Sequence, residues 1–263
     1  LNNEQNKITL SRARQWNSFP WSYRGDCIKE GNIDCLKNIP NNPDWPDYPN
    51  GDDHMRDVLQ YALDHGEQIT MLVNCPMTTL RNVLEQRPEL KNAISRLIWM
   101  GGAIDVKGNL DPTTIPVQVA NPKAEWNAFC DPFAVQWVFD NTDFPITLFP
   151  LDVTNQATIK KSFMDTLLVQ SKAGYAYSTL AYQSYEIVAS ESFYDMWDVV
   201  TTCYIPHPEF FAPATKMYLS ITTEDYWQGT LNKNVEGGRA VDVILNLIDP
   251  DGFYNYVETQ FKR

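Results

Sequence analysis

The chain has 263 residues, of which 43% are hydrophobic and 21% are charged, a composition that supports a folded core and excludes an intrinsically disordered chain. Its formal net charge of −12 argues against a nucleic-acid polymer or an anionic membrane as partner and leaves a neutral small molecule or a cation. No apolar run reaches the length of a membrane-spanning helix, and no signal-like segment leads the chain.

The cysteines follow neither a metal-binding nor a CxxC spacing; they are Cys27, Cys35, Cys75, Cys130 and Cys203. In a chain of this length, buried free thiols are the default interpretation, and a disulfide such as Cys27–Cys35 is the alternative. Cysteine usage therefore favours a reducing compartment such as the cytoplasm, and the localisation stays open.

The first half of the chain alternates between irregular and regular patterns. Residues 12–46 are rich in Pro, Asn, Trp and Asp and predict a long irregular segment. Apolar residues at helical spacing over 55–63 predict a helix, which Asp52 or Asp53 would cap and Gly66 would end. The apolar run 69–73 predicts a strand.

Residues 97–132 hold the most informative pattern. The apolar run from Leu97 to Met100 has the length of a buried parallel strand. It ends at Gly101-Gly102, where the backbone can take a positive φ. Asp131-Pro132 then predicts the N-cap and the first position of a helix.

The loop between that strand and that helix carries Asn109, Glu125 and Asn127. Open α/β sheets bind ligands beyond the carboxyl ends of their strands. A carboxylate accepts hydroxyl hydrogens and a carboxamide both accepts and donates, so the three side chains suit a sugar or another polyol.

The rest of the chain continues the alternation. Further strands are predicted at 146–151, 216–222 and 240–247, and further helices near 159–170, 175–190, 196–204 and 253–261. We therefore predict an α/β fold with a mostly parallel central sheet, helices on both faces, and one domain over 1–263.

Several of these segments together resemble one family. MGGA at 100–103, GN at 108–109, AEWN at 124–127 and DP at 131–132 are similar to motifs of the nucleoside hydrolases, which cleave the N-glycosidic bond of ribonucleosides. The resemblance covers nearly the whole chain and implies the same α/β fold, with N-terminal strands of the family missing from this chain.

The resemblance also implies roles for individual residues. Asn109, Glu125 and Asn127 fall where the family grips the ribose hydroxyls, chiefly the 5′-hydroxyl. Asn74 falls where the family offers a backbone carbonyl to a bound Ca²⁺. Asp198 matches the carboxylate that binds both the Ca²⁺ and the nucleophilic water.

The base-binding residues resemble the purine-specific branch, which prefers inosine, adenosine and guanosine. Trp197 stands where that branch has an aromatic residue, and Tyr23 falls where it has a second one. The two rings would sandwich the purine, and stacking favours protonation of the leaving base. The purely structural alternatives are that Trp197 is a core residue and that Asp198 is a charge that stabilises a helix N-terminus.

One family motif is missing. The Asp-x-Asp-x-x-x-Asp-Asp sequence, which supplies most calcium ligands in the family, is not found in this chain. Asp198 and the Asn74 carbonyl alone give fewer oxygens than the about six to eight that Ca²⁺ takes. We therefore expect the chain to be inactive by itself and the acids to come from an N-terminal segment, docked as a separate fragment.

Two further interpretations remain open. The chain could be a non-catalytic relative that binds a sugar or nucleoside and has lost the metal site, or the resemblance could extend to the fold only. The remaining expected partner is a second copy of the chain, in a homo-oligomer.

Overall fold

The computed structural model describes three stretches of the chain: residues 51–113, 120–186 and 194–263. The described residues form two compact units that alternate along the chain. The first unit comprises residues 51–153 and Ala212–Asn246, and the second comprises Thr154–Phe211 and Leu247–Arg263. Whether the two units act as one domain over 1–263 stays a prediction.

The first unit contains a six-stranded sheet of order β1-β2-β3-β6-β4-β5. The strands are β1 (Ile69–Val73), β2 (Ile94–Met100), β3 (Ile146–Phe149), β4 (Thr215–Ile221), β5 (Leu231–Lys233) and β6 (Arg239–Val243). Strands β1, β2, β3 and β6 are parallel, whereas β4 runs antiparallel to β6 and to β5. The α/β class with a mostly parallel sheet is therefore confirmed.

The helices of the first unit are α1 (Gly51–Asp64), α2 (Thr78–Gln86), α3 (Trp126–Cys130), α4 (Pro132–Asn141) and the single turn α5 (Leu151–Thr154), which ends at the first residue of the second unit. Helix α1 precedes the first strand, and the later helices of the first unit follow β1, β2 and β3. A 3-10 helix, Pro88–Ala93, leads into β2.

One hydrophobic core joins this sheet to α1, α2 and α4. Leu59 of α1, Leu84 of α2 and Val135 of α4 pack with Leu97 and Leu148 of the sheet, and all are buried. Burying a side chain of this size contributes about 1.5–3 kcal/mol. This core fixes β2 and β3, and with them the loops at their carboxyl ends.

The ends of α1 test the predicted helix signals. Gly66 has a φ of 66°, the left-handed conformation of a helix stop, as predicted. The predicted N-cap is wrong, because the helix begins at Gly51 and both Asp52 and Asp53 lie inside its first turn. Carboxylates there are favourable with the helix dipole, and Asp52 also accepts a hydrogen bond from Asn82.

The second unit is helical among its described residues. It contains α6 (Lys161–Lys172), α7 (Ala176–Glu186), α8 (Trp197–Cys203), the 3-10 helix Pro208–Phe210 and α9 (Pro250–Phe261). Phe163 of α6 packs its ring against Tyr185 of α7 and Tyr254 of α9, with centroid distances of 5.7 and 5.9 Å. No helix among the described residues is long and apolar enough to span a bilayer.

Candidate functional site

Strand β2 ends at Gly101 and Gly102, as the sequence predicts. A Cβ atom on Gly101 would lie 2.3 Å from the Trp99 indole, and one on Gly102 would lie 2.1 Å from a methyl carbon of Leu231. Gly102 also has a φ of 75°, which side chains disfavour. Both positions need glycine, and they let the backbone turn beside the polar loop.

The carboxylate of Glu125 organises this turn. It is buried, with 2% of the residue exposed. Its Oε1 accepts the backbone N–H of Asn127 at 2.8 Å, and its Oε2 accepts those of Gly102 at 2.8 Å and Ala128 at 3.2 Å. Glu125 is thus the N-cap of α3 and, at the same time, the link from α3 to the end of β2.

Two carboxamides flank this carboxylate. Asn127 donates its Nδ2 to the backbone oxygen of Met100 at 3.0 Å. Asn109 accepts the backbone N–H of Trp126 at 3.1 Å and donates its own N–H to the oxygen of Ala124 at 3.0 Å. The structure therefore brings the three predicted ribose-binding residues together; we call Asn109, Glu125 and Asn127 the polar corner.

The polar corner keeps hydrogen-bonding capacity for a ligand. In the described part of the chain, Nδ2 of Asn109 and Oδ1 of Asn127 make no hydrogen bond. The first atom donates and the second accepts, which matches a hydroxyl group that can do both. The role of the corner toward ribose stays a prediction.

Asp131 caps the next helix, as the Asp-Pro pair predicts. Its carboxylate accepts the backbone N–H of Ala134 at 3.0 Å and the hydroxyl of Thr78 at 2.6 Å, which ties α4 to the start of α2. Burial, together with the carboxylates of Glu125 and Asp131, raises the pKa of the neighbouring Cys130 thiol to about 12. The thiolate form of Cys130 is therefore disfavoured at neutral pH.

Sequence reasoning did not assign a role to Asp152. This side chain, at the start of α5, accepts the backbone N–H groups of Ile104 at 2.9 Å and Asp105 at 2.7 Å. The backbone N–H of Leu151 donates to the oxygen of Gly102 at 2.9 Å. Asp152 thus holds the loop after β2, and its position three residues after the end of a buried strand was the available signal.

Asn74 follows the last residue of β1. Val73 of β1 is paired with Trp99 of the neighbouring β2. Asn74 therefore lies at the carboxyl end of its strand, at the same end of the sheet as Gly101. Parallel strands place their carboxyl ends together, which is the edge where α/β sheets bind ligands. Its role as a calcium ligand stays a prediction.

In the second unit, Trp197 begins α8. Its indole Nε1 donates to Oδ1 of Asn155 at 2.8 Å, and its ring lies 4.9 Å from that of Tyr194. Trp197 is half-buried, and its role in base binding stays a prediction. Asp198 follows it in the first turn, with a solvent-accessible side chain.

Two carboxyl groups near this helix start have shifted acidities. Partial desolvation of the carboxyl raises the pKa of Asp198 to about 6, although the residue is exposed as a whole, and burial raises the pKa of Asp195 to about 7. Both shifts arise because a charged carboxylate loses part of its hydration there. Asp198 is therefore mostly ionised above pH 6 and can accept a hydrogen bond from water.

The described residues do not by themselves form a calcium site. Among them, no three His, Cys, Asp or Glu side chains are grouped closely enough to hold a metal ion. Ca²⁺ takes about six to eight oxygen ligands. A carboxylate at Asp198 and a carbonyl at Asn74 fall short of this number.

Comparisons with known proteins identify the family. The family model described as inosine-uridine preferring nucleoside hydrolase matches residues 27–255. The chain belongs to this family. The match spans most of both described units and includes the polar corner, Trp197 and Asp198.

Individual relatives agree with this assignment. The non-specific ribonucleoside hydrolase RihC of Salmonella schwarzengrund is 30% identical over 210 residues, which are 79% of this chain and 63% of the relative. RihC of Escherichia coli O1:K1 is 29% identical over 206 residues, 77% of this chain and 62% of the relative. The chain thus spans less than two thirds of the length of these curated relatives.

Solved structures show the same fold. The inosine-uridine preferring nucleoside hydrolase from Bacillus anthracis is 27% identical, with a TM-score of 0.69 over 82% of this chain and 66% of that one. The purine-preferring ribonucleoside hydrolase from Gardnerella vaginalis is 22% identical, with a TM-score of 0.63 over 82% of this chain and 66% of that one. At that identity the second likeness supports the fold alone.

For this nucleoside hydrolase family member, the predicted ribose-binding residues form one group and the predicted residues for the base and the water form another, while Asn74 follows β1 in the first unit. Asn109, Glu125 and Asn127 lie together in the first unit, and Trp197 and Asp198 lie together in the second. That both groups line one shared hollow stays a prediction. The predicted second aromatic residue, at position 23, lies outside the described residues.

Proposed function

We propose that this protein hydrolyses the N-glycosidic bond of purine ribonucleosides. The bond between C1′ of the ribose and the ring nitrogen of the base breaks, water adds its oxygen to C1′, and the base leaves with a proton. The observation that carries the proposal is the polar corner, preformed at the carboxyl end of β2 in a chain of the nucleoside hydrolase family.

The polar corner would bind the sugar. The anomeric carbon becomes positively charged as the bond breaks, so the ribose must be held in position while its ring distorts. In our proposal, Asn109 donates to a ribose hydroxyl, chiefly the 5′-hydroxyl, and Asn127 accepts from one. Glu125 holds the backbone of Asn127 and Ala128 beside Gly102 through its three backbone contacts, and so keeps Asn127 in position.

Trp197 and Asp198 would act at the base and at the water. An aromatic face attracts a cationic ring, so a purine stacked on Trp197 is protonated more readily as it leaves. Asp198 is ionised above pH 6, which allows it to orient the attacking water as an acceptor. Tyr23 is proposed as the second stacking ring.

The preference for purine bases is the more specific part of this proposal. Trp197 supports it, because a large flat side chain stacks more area against a bicyclic base than against a monocyclic one. The RihC relatives are described as non-specific and the Bacillus structure as inosine-uridine preferring. Inosine and uridine are therefore the two substrates to compare.

Calcium is the cofactor that the family resemblance implies. Since the described residues fall short of a full ligand set, we propose that further acidic ligands complete the site, in line with the acidic N-terminal segment expected from the sequence. No step of the reaction above is assigned to the metal.

The test compares ribose release from inosine and from uridine by the protein expressed from its complete gene and by the 263-residue chain. We expect the former to hydrolyse inosine faster than uridine, to lose activity with EDTA and to regain it with Ca²⁺. We expect the latter to bind inosine without turnover. Binding by both proteins that is insensitive to EDTA, with turnover by neither, would support the non-catalytic alternative; neither binding nor turnover would refute both.

A further inference from the structure

The Trp197 indole is fixed by a hydrogen bond that lies outside the family motifs. Its Nε1–H donates to Oδ1 of Asn155 at 2.8 Å. An indole nitrogen can only donate and a carboxamide oxygen can only accept, so the orientation of the Asn155 side chain is determined. Asn155 is exposed and Trp197 is half-buried. The bond is therefore not part of a buried core.

The two segments that carry these residues are held together independently. The backbone N–H of Met196 donates to the oxygen of Ala157 at 2.8 Å, and Thr158 forms a β-bridge with Asp195. Tyr254 of α9 donates its hydroxyl to the oxygen of Thr158 at 2.6 Å. These backbone contacts fix the distance between the segment that carries Asn155 and the segment that carries Trp197. The side-chain hydrogen bond is not needed for that distance, and its effect is to orient the plane of the indole.

A second contact restricts the same ring. The Tyr194 ring lies 4.9 Å from the Trp197 ring at an interplanar angle of 57°. One constraint acts at the indole nitrogen and the other on the ring, so the side chain is held before any ligand arrives. Immobilising a free side chain during binding costs conformational entropy, which a preorganised indole avoids.

We propose that Asn155 is a specificity-determining positioning residue, which acts through Trp197 to favour ribonucleosides with a bicyclic base. The proposal rests on the proposed role of Trp197 as the stacking residue. Stacking depends on the overlap of two flat surfaces, and a bicyclic base has more area to lose when the indole tilts. Loss of the hydrogen bond that holds Trp197 should therefore lower kcat/KM for inosine more than kcat/KM for uridine.

A double-mutant cycle tests whether Asn155 acts through Trp197. Asn155→Leu removes the acceptor at similar size, Asn155→Asp keeps it, and Trp197→Phe removes the N–H. The readout is the ratio of kcat/KM for inosine to that for uridine, measured on the protein expressed from its complete gene. Asn255→Leu is the matched control, because Asn255 is also an exposed asparagine but lies on α9.

We expect Asn155→Leu to lower the ratio about three- to tenfold, the range for loss of one hydrogen bond. Asn155→Asp and Asn255→Leu should leave it within about twofold. In the Trp197→Phe background, Asn155→Leu should have no further effect. An equal loss in both backgrounds, or no loss in the presence of Trp197, would overturn the proposal.

A structural readout separates this inference from the proposed function. With fluorotryptophan in the protein, the ¹⁹F resonance of Trp197 is assigned by its disappearance in Trp197→Phe. Asn155→Leu should shift it and Asn155→Asp should restore it; an unmoved resonance would refute the positioning role. If no nucleoside is hydrolysed, the proposed function fails, and the affinities for inosine and uridine then decide the preference through the same cycle.

Discussion

The backbone N–H of Gly102 donates to Oε2 of Glu125 at 2.8 Å, although the two residues are 23 positions apart in the sequence. The same carboxylate caps α3 through Asn127 and Ala128. One buried side chain thus connects the end of β2 to the start of α3. Because the polar corner is assembled around this carboxylate, the stability of the fold and the binding of a sugar should depend on the same residue.

Glu125→Ala should therefore reduce both stability and ligand binding. Three backbone N–H groups lose their acceptor in a buried place, which we expect to cost about 2–4 kcal/mol of unfolding free energy. Urea denaturation measures the loss, and titration of the folded variant with inosine measures the affinity. Asp131→Ala is the matched control, because Asp131 is also a buried N-cap, with 1% of the residue exposed.

The control should be destabilised to a similar extent and should keep most of its inosine affinity. If Asp131→Ala weakened inosine binding as much as Glu125→Ala does, the loss would reflect general loosening of the helices. A ribose-binding role for Glu125 would then lose its support.

Gly102→Ala should be more destabilising than a positive φ alone explains. Its Cβ would lie 2.1 Å from a methyl carbon of Leu231, and its φ is 75°. Gly66→Ala is the control, since Gly66 has a φ of 66° and no atom within 4 Å of the added Cβ. We expect a loss of about 1–2 kcal/mol for the control and at least about 1 kcal/mol more for Gly102→Ala, measured by urea denaturation. Equal losses would show that the overlap with Leu231 is relieved without cost.

Local patterns predicted most of the fold. The apolar runs that became β1, β2 and β3, the stop at Gly66 and the cap at Asp131 all depend on neighbours within a few residues. Strand β5 was missed because its three residues, LNK, have no apolar alternation and depend on pairing with β4.

The site was predictable only where the family motifs specify it. Asn109, Glu125 and Asn127 were found through the resemblance. The contact of Asp152 with Ile104 spans 48 positions and that of Trp197 with Asn155 spans 42. No local periodicity reports such pairs, because they arise only when the sheet or the helices have assembled.

Asp152→Ala should release the loop after β2. The backbone N–H groups of Ile104 and Asp105 would lose their acceptor, and we expect their hydrogen exchange to accelerate about 10- to 100-fold, which corresponds to about 1–3 kcal/mol. Exchange measured at peptide or residue resolution tests this. Asp111→Ala serves as the control, since it removes an exposed side-chain contact with Thr113 in the same loop. Protection unchanged in Asp152→Ala would show that the loop is held by other contacts.

Asp195→Asn should stabilise the protein at neutral and alkaline pH. Burial raises the pKa of Asp195 from 3.8 to about 7 in the folded state. Between these values the folded state binds more protons than the unfolded state, so the stability of the natural protein falls as the pH rises through about 4–7. Asparagine cannot ionise and removes this cost. After allowance for partial exposure we expect a gain of about 1 kcal/mol above pH 7, or roughly 2–4 °C in Tm, and none near pH 4. Asp57→Asn removes a charge from a side chain that is 75% exposed and should shift Tm little at either pH. A gain for Asp195→Asn that is the same at pH 4 and pH 8 would contradict the raised pKa.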